Sequence, residues 1–123
     1  MKSSAEATAA ERKCPIETVI QLLGGKWKPL ILWHLLDSAK RFNELEKLIP
    51  EVTQKMLAQH LRELEADKLV TRTIYPSVPP KVEYSLSEYG KTMVPVLEVM
   101  CEWGETHNRL IVRPAAQIIA NSV

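Results

Sequence analysis

The sequence predicts a mainly α-helical fold carrying one small β-hairpin, an α+β arrangement, on three observations. From Phe42 to Leu64, apolar residues recur at helical spacing in two stretches separated by Pro50-Glu51-Val52. After Leu69 the pattern changes to alternation in two β-prone runs joined by a proline-rich tip. From Met93 to Leu110 helical spacing returns as one long apolar stripe.

The elements follow in order. Residues 1–13 are polar, rich in small residues and without periodicity, and read as a flexible arm. Pro15 favours a first helical position, which makes Cys14 the N-cap residue and places Glu17 in the first turn; Gly24-Gly25 stops that helix. A second helix is expected from Lys26 to Asp37, because Pro29 lacks an N–H and is tolerated only in a first turn. Backbone N–H groups left free beside Lys26 and Lys28 would then suit a phosphate. Trp27 and Trp33 read as core.

The next two helices carry the most information. Phe42, Leu45, Leu48 and Ile49 form an apolar stripe on a short helix. After the turn, Thr53 can cap a longer helix running to about Lys68, its hydroxyl accepting from a free backbone N–H. Leu57, Leu61 and Leu64 share one sector of that helix and can meet the stripe of its predecessor. Lys55, Gln59 and Arg62 fall on the opposite side, with Thr53 and Gln54 at the leading end. Lysine can meet phosphate or guanine, glutamine can pair with adenine, and arginine can grip guanine bidentately, so this face has the groups that read a major groove. A plain solvated face is the alternative for an isolated helix, but the preceding helix makes the pair a helix-turn-helix.

Val70 to Tyr75 and Val82 to Leu86 then read as strands, with Pro76, Pro79 and Pro80 confining the connection to a stiff loop. The hairpin is the wing of a winged helix-turn-helix, with Arg72 and Lys81 placed to follow a phosphate backbone. Beyond Ser87, Met93, Val96, Leu97, Met100, Trp103, His107 and Leu110 make a stripe too long for so small a domain to cover, and a second copy of the chain is expected to cover it. Met93, Leu97, Met100, Trp103 and His107 are the interface candidates. Pro95 should kink this helix by removing a bond to Lys91. Residues 14–112 thus read as one winged-helix domain flanked by dimerisation helices, and residues 113–123 as a tail.

Composition narrows the function classes. The net charge of +1 over 123 residues is low for a nucleic-acid module, so placement of the basic residues matters more than their sum: Lys26, Lys28, Lys40, Arg41, Lys55 and Arg62 lie on segments that would approach DNA. No apolar run is long enough to span a bilayer and the N-terminus lacks a signal peptide's apolar block, which predicts a cytoplasmic protein with no membrane partner. The 3 histidines and 2 cysteines are scattered, so no metal or other cofactor is expected, and no nucleophile setting or phosphate loop supports an enzyme. Cys14 is a candidate reactive thiol because the helix dipole and the neighbouring Arg12 and Lys13 would favour its thiolate; the competing reading is a small buried hydrophobe.

Several motifs together carry a family likeness. Gly24-Gly25-Lys26-Trp27, Arg41-Phe42-Asn43-Glu44-Leu45, Gln54-Lys55-Met56-Leu57, Leu61-Arg62-Glu63-Leu64-Glu65-Ala66-Asp67, Val78-Pro79-Pro80-Lys81-Val82-Glu83-Tyr84-Ser85-Leu86 and Gly90 resemble the HxlR-type branch of the MarR-like transcriptional regulators. The likeness spans Cys14 to Glu105. It implies a small dimeric regulator, bacterial or archaeal, that answers to a chemical or redox signal; because a dimer presents two recognition helices related by its own axis, the expected partner is a two-fold symmetric double-stranded DNA operator, and the expected role is that of a repressor. The likeness also implies that Cys14, before the first helix, is the sensing cysteine for an oxidant or electrophile. Cys101, beside the apolar stripe, either meets Cys14 of the other subunit or fills space. Two rivals stay open: a regulator governed by a small-molecule effector held between the dimerisation helices and the DNA-binding unit, and a winged-helix module that binds protein.

Overall fold

Leu57, Leu61 and Leu64, the apolar sector of the long helix, are at most 1% exposed and form the centre around which the other elements pack. The computed structural model describes residues 14–112. The expected arm and tail, residues 1–13 and 113–123, therefore lie outside the described residues. In chain order the elements are α1 (Pro15–Leu22), α2 (Lys28–His34), α3 (Phe42–Leu48), α4 (Gln54–Ala66), β1 (Val70–Tyr75), β2 (Lys81–Leu86) and α5 (Val94–His107). Ile31 and Leu32 of α2, Leu45 of α3, Leu69, Val70, Leu86 and Leu97 of α5 close the core around the three leucines. This is the winged helix-turn-helix: α3 and α4 are the helix pair, and β1 with β2 is the wing.

Local chemistry sets the element ends. Thr53 caps α4 as expected, its Oγ1 accepting from Met56 N–H at 3.1 Å. At the other end Lys68 takes up left-handed backbone, φ 65°. Lys68 N–H then reaches Glu65 O at 2.9 Å and Leu69 N–H reaches Leu64 O at 3.0 Å, the paired bonds of a Schellman cap, which turn Leu69 inward. Glycine usually fills such a position, so a lysine there gave no stop signal in the sequence. Ser87 Oγ donates to Lys68 O at 2.6 Å and accepts from Gly90 N–H at 2.8 Å, fastening the end of β2 to the end of α4. A Cβ on Gly90 would overlap the Leu69 carbonyl oxygen.

Three expectations need correction. α2 begins at Lys28 rather than Lys26 and ends at His34 rather than Asp37. Pro29 is its second residue, and the positive φ of Gly25 (87°) turns the chain just before it. Leu35 and Leu36 bond back three residues to Leu32 and Trp33 and so tighten the far end shut. Pro95 does not kink a continuous helix: it is the second residue of α5, where its missing N–H is costless, and the residues before it form a separate 3-10 turn, Gly90–Met93. Trp33 is not core but sits at the surface, 37% exposed.

The wing pairs β1 and β2 antiparallel, with Val70 opposite Leu86 and Tyr75 opposite Lys81. A contact invisible in the sequence braces it. Lys40 exchanges both backbone bonds with Tyr84, at 2.8 and 2.7 Å, so the segment ahead of α3 lies against β2 as a one-residue third strand.

Candidate DNA interface and thiol positions

The α4 cap and core contacts decide which side of the helix faces out. With Leu57, Leu61 and Leu64 buried, Thr53, Gln54, Lys55, Gln59 and Arg62 are all exposed. Lys55, Gln59 and Arg62 stand at i, i+4 and i+7 and so share one face. Arg62 meets the wing across a groove of about 330 Å³ lined by Ala58, Arg62, Glu65, Arg72 and Tyr84. Arg62 from the helix and Arg72 from the strand thus line one concavity, a suitable place for phosphate oxygens.

The remaining basic candidates differ in how free they are. Lys81, at the hairpin tip, is paired with Glu83 at 3.2 Å and lies over the Tyr75 ring at 5.4 Å. Lys26 is exposed, precedes α2 and rests over the Trp27 ring at 4.7 Å. Lys28 is corrected outright: it is 8% exposed and its ammonium pairs with Glu63 at 3.0 Å, so it faces α4 and not a phosphate. Lys40 is likewise engaged, by Asp37 Oδ1 at 2.9 Å and Ser38 Oγ at 2.8 Å.

Glu63 was missed as a functional candidate. Its carboxylate takes Lys28 and His60 (3.3 Å) on Oε1 and Gln59 (3.4 Å) on Oε2. The ammonium of Lys28, then the hydrogen bonds from His60 and Gln59, hold its carboxyl well down, at about 2. Its spacing from Gln59 and His60 was readable at helical pitch, but the Lys28 partner comes from another helix.

The apolar stripe of α5 divides. Leu97 is 3% exposed and belongs to the chain's own core, which corrects it as surface for a partner, and Met93 is half-buried against that core. Met100 and Trp103 face outward at 46% and 68%, and His107 stacks on Trp103 at 5.5 Å between ring centres. Ile16 and Ile20 of α1 are also exposed.

Both cysteines are free thiols. Cys14 is exposed, heads α1 and makes no side-chain cap; its basic neighbours Arg12 and Lys13 lie outside the described residues. Cys101 is half-buried and lines a groove of about 250 Å³ with Pro29, Leu30, Trp33, Leu97 and Met100. Its thiol donates to Glu105 Oε1 at 3.4 Å, and that hydrogen bond, together with burial and the charges of Glu105 and Glu102, pushes the thiol up. Among the described residues no group of histidine, cysteine and carboxylate side chains could hold a metal, and no helix is long and apolar enough to cross a membrane.

Comparison with known proteins agrees with the winged-helix fold. Residues 22–111 match the family described as HxlR-like helix-turn-helix, a span that leaves out Cys14. An uncharacterized HTH-type transcriptional regulator of Bacillus subtilis, YdeP, is 54% identical over 94 residues, 76% of this chain and 73% of that protein. The reduced form of the redox regulator HypR superposes with a TM-score of 0.77 at 48% identity, covering 82% of this chain and 99% of that one. The reduced form of the transcriptional regulator YodB from B. subtilis superposes at 0.68 with 39% identity, covering 80% and 95%. These relatives are regulators, not enzymes.

Proposed function

The chain belongs to the HxlR-like helix-turn-helix family and is a transcriptional regulator of that type, and from that premise we propose that it is a homodimer whose hold on a two-fold symmetric operator is set by the oxidation state of Cys14. The observation that carries the reading is the exposed Cys14 thiol at the head of α1, on a chain that is 48% identical in sequence to the redox regulator HypR. α4 reads bases through Lys55, Gln59 and Arg62, with Thr53 and Gln54 at its leading end, while Arg72, Lys81 and Lys26 hold phosphates. The outward Met100 and Trp103, with Ile16 and Ile20 of α1, form the apolar surface that a second copy covers. Because α1 carries both Cys14 and part of that surface, a modification at Cys14 shifts the contact between subunits and with it the spacing of the two α4 helices.

Footprinting together with non-reducing electrophoresis tests the reading. It expects protection of two half-sites about one helical turn apart, and a covalent dimer on oxidation if Cys101 of the other subunit takes up the oxidised Cys14. Protection of a single asymmetric half-site would contradict the dimeric operator complex.

A second reading has one observation in its favour: the apolar groove between α2 and α5 that Cys101 lines could hold a small-molecule effector. Regulation that persists without either cysteine would favour it.

A further inference from the structure

An acidic residue beside a DNA-reading face is an electrostatic liability, since it repels phosphate, yet Glu63 stands one turn beyond Gln59 on α4. Its surroundings explain why it can be there. Lys28, whose side chain is only 10% exposed, reaches up from α2 to within 3.0 Å of Oε1 and neutralises the charge. His60 occupies the same oxygen at 3.3 Å. Oε2 is left to accept from Gln59 Nε2 at 3.4 Å.

A carboxylate accepts and never donates, so its partner on Gln59 must be the amide nitrogen. That has a consequence for reading bases. A free glutamine amide turns about its last torsion at little cost, exchanging donor and acceptor, and can serve either adenine or guanine. Tethered by its nitrogen to Glu63, the amide keeps its oxygen and its second N–H outward. An outward oxygen suits the N6 amino group of adenine, the second N–H suits adenine N7, and the guanine O6 acceptor is disfavoured.

We propose that Glu63 is a positioning residue for base readout: anchored by Lys28, it fixes the polarity of the Gln59 amide and so makes that position of the operator select adenine. The inference rests on the reading of α4 as the recognition helix. Lys28 acts at one remove, holding Glu63 in place and keeping its charge from the phosphates.

The test uses the full-length protein and an operator obtained by repeated selection of bound duplexes from random DNA. Competition binding with all four bases at each operator position is measured for the wild type, Gln59→Ala, Glu63→Ala, which has no side-chain acceptor for the Gln59 amide, and the pair Lys28→Met with Glu63→Ala, which leaves no unpaired buried charge if the single variant folds poorly. Gln59→Ala identifies the position it reads by erasing the preference there. The wild type should prefer adenine at that position by about tenfold, as expected of a good bidentate pair, and both Glu63 variants should lose that preference while keeping their base preferences at the other operator positions. Retained adenine preference in folded Glu63 variants would overturn the positioning role and leave α4 as the recognition helix. A Gln59→Ala protein with unaltered preferences everywhere would overturn both.

Discussion

Cys101 donates its thiol hydrogen to the Glu105 carboxylate one helical turn away, at 3.4 Å. The bond stabilises the thiol over the thiolate, and it is the largest reason the Cys101 pKa is raised. Since the thiolate is the attacking form, Cys101 is held back as a nucleophile at neutral pH. Glu105→Gln should therefore lower its pKa and speed its alkylation. The check is the pH profile of iodoacetamide labelling in a Cys14→Ser background, where the variant's curve should move to lower pH; an unmoved curve would show that Glu105 does not govern the thiol.

Glu63 predicts an acid-stability signature. Its folded-state pKa, about 2, lies below the ordinary 4.5. A depressed carboxyl contributes stability that is fully present above the ordinary value and is lost as pH falls through the folded one. The wild type should thus lose more thermal stability between pH 4.5 and 2 than Glu63→Gln does. Asp37, lowered by its hydrogen bond from Lys40, adds a loss of the same sign to both proteins and cancels in the comparison. Parallel melting curves of the two proteins across that window would contradict the assignment.

The junction between α4 and the wing predicts opposite effects for two backbone substitutions. Lys68→Gly relieves a left-handed residue and should stabilise by roughly 1 kcal/mol. Gly90→Ala drives a methyl group into the Leu69 carbonyl and should destabilise by about 1 to 3 kcal/mol, by the usual cost of strain or overpacking. Urea unfolding midpoints decide both.

Much of this fold was legible because the signals were local. Thr53 as cap, the leucine sector of α4 and the alternation of Val70 to Tyr75 depend on neighbours within a turn or a pleat, and each appears where its spacing puts it. What escaped reading depends on partners distant in sequence. Lys28 looked like a phosphate ligand until α2 packed it against Glu63. Leu97 and Trp103 shared one stripe until the core claimed only the first. Pro95 was ambiguous because a proline fits equally at a kink or in a first turn, and only the 3-10 turn before it decides.

Trp103 tests the proposed dimer. It is 68% exposed in the single chain, stacked on His107 and flanked by Met100. If a second copy buries it, Trp103→Ala should weaken association by about 3 kcal/mol, the cost of removing a large aromatic from a packed site. Sedimentation velocity at falling concentration should then show the variant dissociating well before the wild type. A dimer that persists equally in both would place the interface elsewhere.

The most direct test of the thiol switch is operator affinity before and after diamide, for the wild type and for Cys14→Ser. On the proposal that oxidation at the head of α1 alters the spacing of two α4 helices in a dimer, the wild type should change its affinity on treatment and regain the original value with reductant. Cys14→Ser should bind the operator with the same affinity under all three conditions. A Cys14→Ser protein that responds to diamide as the wild type does would contradict the account.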